Sequence, residues 1–261
     1  MGEIPSVFNC RQKVYTPLRG ENANAEPQPA ESDGVDVERF RDILKAGAPI
    51  FAVNAGGACA PLAAPLARAG AAMFIDCERT AIGISDVPGL VAAAHAAGGH
   101  AILRVESAAP AILTRYLDCG VDALVIPQVE SDAACADVVQ AVRDQALGDP
   151  RAAVIVQIES TGGVAAAQSI ARAEGIDAVL LGPNDLAVSM GYPGQPGHPQ
   201  VQAALHDVAG VLRAAQMPFG LPVTPASLTD WARQGARLFY IPMGALLTAA
   251  LAPYKDAVNG H

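Results

Sequence analysis

From Val37 onward, short apolar runs alternate with Ala- and Leu-rich stretches whose apolar positions recur at helical spacing. Eight runs have strand length: 49–55, 72–78, 100–106, 123–128, 153–159, 178–183, 218–223 and 237–243. Helices are predicted between and after them at 59–69, 86–97, 109–118, 131–145, 161–174, 198–214, 225–234 and 244–257. Strand-length apolar runs alternating with amphipathic helices predict βαβ units and a parallel sheet. Eight such units predict a (β/α)₈ TIM barrel, here a single domain over 37–261. A doubly wound sheet is the alternative. Its dinucleotide-binding form would carry G-x-G-x-x-G after the first strand, and none stands there. Residues 1–36 contain the polar stretch ENANAEPQPAESDG and are expected to form a flexible leader. Within it, Val14–Leu18 is a candidate docking segment.

Composition narrows the class. The 261 residues are 51% hydrophobic and only 16% charged, which rules out a chain disordered throughout. A net charge of −9 argues against nucleic-acid partners and against docking on anionic membranes. No apolar stretch reaches the roughly 18 residues of a membrane span. The five cysteines, at 10, 59, 77, 119 and 135, are odd in number and lack a CxxC. That pattern disfavours a disulfide framework or a structural zinc site and fits buried thiols in a reducing cytoplasm. The N-terminus has no apolar core of signal-peptide length, so a cytoplasmic location is expected.

In a barrel of this kind, chemistry gathers at the C-terminal ends of the strands. Asp76, Glu78 and Arg79 follow the second run, and Arg104 and Glu106 lie on the third. Gln128 ends the fourth, Gln157 and Glu159 close the fifth, and Gly182-Pro183-Asn184-Asp185 follow the sixth. Two carboxylates, Glu159 and Asp185, leaving neighbouring strands suit Mg²⁺ or Mn²⁺, with Co²⁺ a further option. The structural alternative is that each caps a helix. Arg104, among apolar neighbours, calls for an anion that its fork can grip. Its alternative is an ion pair with Glu78 or Glu106. No histidine, nucleophilic serine motif or strand-ending lysine is placed for a triad or a Schiff base. Carbonyl chemistry here would therefore need a metal as Lewis acid.

The segment GPNDLAVSMGYPGQPGHPQVQAAL (182–205) resembles the class II pyruvate aldolases of the HpcH/HpaI type, within the broader citrate-lyase-β-like superfamily. FIDCER (74–79), the Arg104 strand and VQIES (156–160) agree in order and spacing, and the resemblance covers about 38–253. It implies a divalent metal on Glu159 and Asp185. It implies a pyruvate-like keto acid held by Arg104, Gln157 and the backbone of Gly182, Pro183 and Asn184. It also implies a homo-oligomer, hexamer or trimer, with a swapped C-terminal helix at 244–257. That helix could instead close its own barrel.

Two departures stand out. The family's strand-2 motif, Asp-x-Glu-His, here reads Asp76-Cys77-Glu78-Arg79, and Asp118 matches the Asp that would pair with the missing His. Arginine stays protonated and cannot act as the base, but it can bind a second carboxylate or an acyl donor. The loop between strands 4 and 5 is also short. Three readings follow: an aldolase using water or hydroxide as base; an enolate condensation with an acyl-CoA thioester, or oxaloacetate decarboxylation; and a non-catalytic keto-acid-binding barrel. Acceptor specificity is expected from Asn54–Cys59, Arg79, Thr224–Ser227 and Gly244, with Asn54 and Gln128 as polar contacts.

Overall fold

The computed structural model describes residues 40–145 and 152–259; the expected leader and the start of the barrel domain at 37 lie outside them. Eight strands are present: β1 (Ile50–Asn54), β2 (Ala71–Asp76), β3 (Ala101–Arg104), β4 (Ala123–Ile126), β5 (Ala153–Ile158), β6 (Ala178–Leu181), β7 (Phe219–Pro222) and β8 (Leu238–Pro242). All pair in parallel in sequence order, and β8 pairs back onto β1 with Ile50 opposite Leu238. That closure excludes the doubly wound alternative.

Both faces of these strands are buried, which is why they read as continuous apolar runs. One parity packs outward on the helices, as Val53, Met73, Leu103, Leu124, Val154 and Val179 do. The other points into the barrel. Ile50, Ala52, Ala72, Phe74, Ile102, Val125, Ile155, Leu180 and Leu238 fill its interior in one cluster. Phe40 and Leu44 join that cluster from a helix, Phe40–Ala46, that precedes β1 and closes the N-terminal end. The apolar pattern did not announce this helix, because seven residues are too few to display a helical period.

Each expected helix is present, two of them divided: 59–69 is a 3-10 turn, Ala60–Leu62, followed by Ala63–Arg68, and 161–174 divides at Ala166 into Thr161–Ala165 and Ala167–Ile170, where it ends. A further short helix, Pro183–Ser189, follows β6. The C-terminal helix, Met243–Asn259, does not close its own barrel. Leu247, Leu251, Tyr254 and Val258 on it are all more than half or half exposed.

Inward parity continues past the apolar layers. It carries Asn54 after Ala52, Asp76 after Phe74, Arg104 after Ile102, Gln157 after Ile155 and Tyr240 after Leu238 to one mouth. The alternation that builds the core thus also delivers the polar residues.

Candidate active site

The mouth encloses a cavity of about 460 Å³, lined among others by Asn54, Asp76, Arg79, Arg104, Gln157, Gly182, Asn184, Asp185 and Tyr240. Its floor is organised by Asp76, a carboxylate only 1% exposed. Asp76 and Arg104 are register partners across β2 and β3. The Arg104 Nε donates to Asp76 Oδ1 at 3.0 Å and its Nη2 to Oδ2 at 2.7 Å. Asp76 also accepts from Asn54 Nδ2 and from the backbone N–H groups of Glu78 and Arg79. Arg104 Nε lies 3.1 Å from Glu78 Oε2. Of the two ion-pair partners expected for Arg104, Glu78 is present. Glu106 is turned away and accepts from the Tyr116 hydroxyl at 2.7 Å. Asn54 Nδ2 also donates to the Tyr240 hydroxyl at 2.8 Å. Tyr240 had no signal of its own in the sequence beyond its inward parity in β8.

Glu159 is the second buried carboxylate, 2% exposed. Its Oε1 accepts from the backbone N–H of Gln128 at 2.9 Å, and its Oε2 from Gln157 Nε2 at 2.5 Å. Gln128 donates with its backbone in the left-handed region, φ 56°, so the useful group at this position is the main chain rather than the expected side chain. Burial pushes the Glu159 carboxyl up to about 7, and the nearby Asp185 and Glu78 add to it against the Gln128 N–H. Gly182 lies so close that a Cβ there would stand 2.6 Å from the Glu159 Cβ and 2.8 Å from Gln157 Nε2. Only glycine leaves room for the two side chains.

Neither carboxylate is a helix cap. Ser160, not Glu159, caps Thr161–Ala165 by accepting from Gly163, and Gly182 stands at the cap of Pro183–Ser189 with Asp185 inside its first turn. Asp185 Oδ1 instead accepts from Arg79 Nη2 at 2.8 Å. The two residues leave β2 and β6, which are four strands apart in an eight-stranded ring, so this ion pair spans the mouth.

The donor set suits a hard divalent cation. Among the described residues no group of three His, Cys, Asp or Glu side chains is arranged to hold a metal ion, and the candidate here is the pair Glu159 and Asp185. Two carboxylates with oxygen ligands from water or substrate are a usual Mg²⁺ arrangement. Gln157 Oε1 is buried without a hydrogen-bond partner among the described residues, an acceptor in want of a donor or cation at this spot.

Asp118 is not brought to this mouth. It ends the helix Pro110–Asp118, which runs back from the mouth, and four residues on, Asp122 bonds the start of β3. Within one chain Asp118 and Arg79 are therefore not brought together, since a helix antiparallel to its strand ends at the opposite rim. Among the described histidines, His95 and His100 lie on Asp122 at that far rim, His198 caps the helix Pro199–Ala214 by accepting from the Gln200 N–H, and His206 stacks on Trp231. Cys59, Cys77, Cys119 and Cys135 are free thiols.

A closed parallel barrel with its buried charges gathered at the strand C-termini is the architecture of barrel enzymes acting on small molecules. The chain belongs to the HpcH/HpaI aldolase/citrate lyase family, whose model matches residues 72–241. It is 30% identical to a hydroxypyruvate/pyruvate aldolase of Pseudomonas aeruginosa over 71% of this chain and 78% of that one. It is 33% identical to a pyruvate aldolase of Rhizobium etli over 48% of this chain, spanning 58% of that protein's length. A family member from Burkholderia cenocepacia superposes with a TM-score of 0.75 at 26% identity, over 84% of this chain and 97% of that one.

Proposed function

We propose that this barrel is a metal-dependent carbon–carbon lyase that cleaves or forms a 4-hydroxy-2-oxo acid through a pyruvate enolate. The observation that carries the reading is the buried Glu159 carboxylate, held by Gln128 and Gln157, at the mouth that Asp185 and the Asp76-anchored guanidinium of Arg104 line. Glu159 and Asp185 would hold a Mg²⁺ or Mn²⁺ ion, which when bound supplies Lewis-acid polarisation of the keto acid. Arg104, with Nε and Nη2 fixed by Asp76 and Glu78, offers its remaining edge to the keto acid and offsets the enolate's charge. Gln157 and the backbone of Gly182, Pro183 and Asn184 complete the keto-acid pocket. An arginine side chain is no general base, so the 4-hydroxyl proton passes to water or a carboxylate of the pocket.

That same substitution favours a second reading, in which the enolate arises by loss of CO₂ from oxaloacetate and no base is needed. Relatives named as aldolases of 2-oxo acids favour the first.

The active form in this reading is a homo-oligomer with exchanged C-terminal helices. Leu247, Leu251, Tyr254 and Val258 recur at i, i+4, i+7 and i+11 and form one exposed apolar stripe. Cytoplasmic residence remains part of the proposal; no described helix is long and apolar enough to cross a membrane.

The test is oxaloacetate incubated with metal-stripped protein, then Mg²⁺ or Mn²⁺, with pyruvate followed over time. Glu159→Ala and Arg104→Ala run in parallel. Metal-dependent pyruvate release lost in both variants supports the enolate site and justifies an aldehyde screen. Absence of release from the wild type counts against it.

A further inference from the structure

Two guanidiniums line the cavity, and they are held very differently. Arg104 is 11% exposed in its side chain and gives Nε and Nη2 to Asp76 on the floor. Arg79 is 52% exposed and gives one short hydrogen bond, from Nη2 to Asp185. Its Nε stands 3.8 Å from Glu78 Oε1, outside hydrogen-bond range. A guanidinium carries five N–H donors in a rigid fork, so most of the Arg79 fork faces solvent and cavity.

The partner of Arg79 is also the carboxylate that the proposed metal would use. Arg79 takes one of the two Asp185 oxygens, and a cation sharing that carboxylate would weaken the ion pair. Glu78 Oε1, 3.8 Å from Arg79 Nε, is the other carboxylate beside it, and Asp76 is engaged by Arg104. The N–H groups of Arg79 that face the cavity are then open to a carboxylate carried by the second reactant. Because the Arg79–Asp185 bond crosses from the β2 side to the β6 side, that fork stands at the rim of the cavity.

We propose that Arg79 is a specificity-determining residue that binds the carboxylate of the acceptor, and that this acceptor is a short aldehyde acid or keto acid rather than a neutral aldehyde. The inference rests on the enolate reading above. In the synthetic direction a pyruvate methyl C–H bond breaks and its proton leaves. The new C–C bond forms to the acceptor carbonyl carbon, and the carbonyl oxygen takes up a proton. The product is a 4-hydroxy-2-oxo diacid, with no change of oxidation state overall and no further reactant.

Glyoxylate and glycolaldehyde test this, since they are nearly isosteric and differ in charge. Full-length wild type, Arg79→Gln and Arg79→Lys are assayed with Mn²⁺ and saturating pyruvate. The wild type is expected to favour glyoxylate. Arg79→Gln is expected to lose ~10- to 100-fold in kcat/KM for glyoxylate, mainly in KM, and no more than about threefold for glycolaldehyde. Arg79→Lys should recover part of the glyoxylate loss. Independently of turnover, calorimetric titration of the metal-stripped proteins should show Mn²⁺ bound severalfold more tightly by Arg79→Gln than by wild type. Equal losses with both acceptors, or none with either, would overturn the assignment, as would unchanged Mn²⁺ affinity. Deuterium wash-in at the pyruvate methyl, without acceptor, separates the two levels. If wild type fails to exchange, the enolate reading falls and takes the acceptor with it. If it exchanges but does not discriminate acceptors through Arg79, this inference alone falls.

Discussion

Asp76 and Arg104 face each other across β2 and β3 and are joined by two hydrogen bonds, of 3.0 and 2.7 Å, in the floor of the cavity. The side chains are 2% and 11% exposed, so neither charge is neutralised by solvent. Removing Arg104 leaves the Asp76 carboxylate buried without its cation, at a cost of about 3–5 kcal/mol, whereas removing the Asp76 charge leaves Glu78 beside Arg104. Arg104→Ala should lower the urea midpoint by a corresponding amount, and Asp76→Asn by less. The double variant Asp76→Asn/Arg104→Gln should regain part of the stability and none of the activity. A double variant no more stable than Arg104→Ala would count against the pair as the source of the loss.

Glu159 gives a pH signature. Burial raises its carboxyl from the ordinary 4.5 to about 7, so the folded state holds this proton more tightly than the unfolded chain. Its contribution to stability is full below about 4.5 and is lost as pH rises through about 7. Metal-free Glu159→Gln should therefore melt higher than wild type at pH 8, by on the order of 2 kcal/mol, and match it near pH 4.5. Adding Mn²⁺ at pH 8 should raise the wild-type melting temperature and leave the variant's unchanged. Melting curves at the two pH values, with and without Mn²⁺, check both halves.

Gln128 holds Glu159 with its main chain at φ 56°. A left-handed conformation costs a side-chain-bearing residue about 1–2 kcal/mol, which glycine avoids while gaining unfolded-state entropy of about the same size. Gln128→Gly should accordingly stay within about 1 kcal/mol of wild type in denaturant and retain activity. Gln128→Val, β-branched and ill-suited to positive φ, should lose both, because the N–H swings off Glu159. A fully active valine variant would contradict this account.

Phe40, 2% exposed, plugs the N-terminal end of the barrel from a helix outside the repeating units. Phe40→Ala opens a cavity there and should cost about 3–5 kcal/mol. The mouth lies at the other end, so kcat measured well below the lowered melting temperature should change less than about twofold. Guanidinium denaturation and steady-state rates on the same preparations separate the two effects.

The sequence by itself determined the barrel, its eight strands in order, and the end at which its chemistry gathers. These are local properties. Burial on both faces makes a strand apolar throughout, so the polar residues Asp76, Arg104 and Gln157 stood out at the strand ends, while the inner-face parity that gathers them with Asn54 and Tyr240 came with the barrel. Glu159 and Asp185 were legible as carboxylates leaving neighbouring strands, and the family resemblance added the keto-acid pocket at Gly182, Pro183 and Asn184. Only the tertiary structure decided which charges meet. Arg79 and Asp185 are 106 positions apart and touch because the barrel closes, whereas Asp118 is carried to the far rim by the direction of its helix. Ion pairing and hydrogen bonding are settled over a few tenths of an ångström between residues distant in the chain. No local period encodes that separation, nor does one reveal that a main-chain N–H at Gln128 serves Glu159, or that the helix Met243–Asn259 leaves its own barrel uncovered.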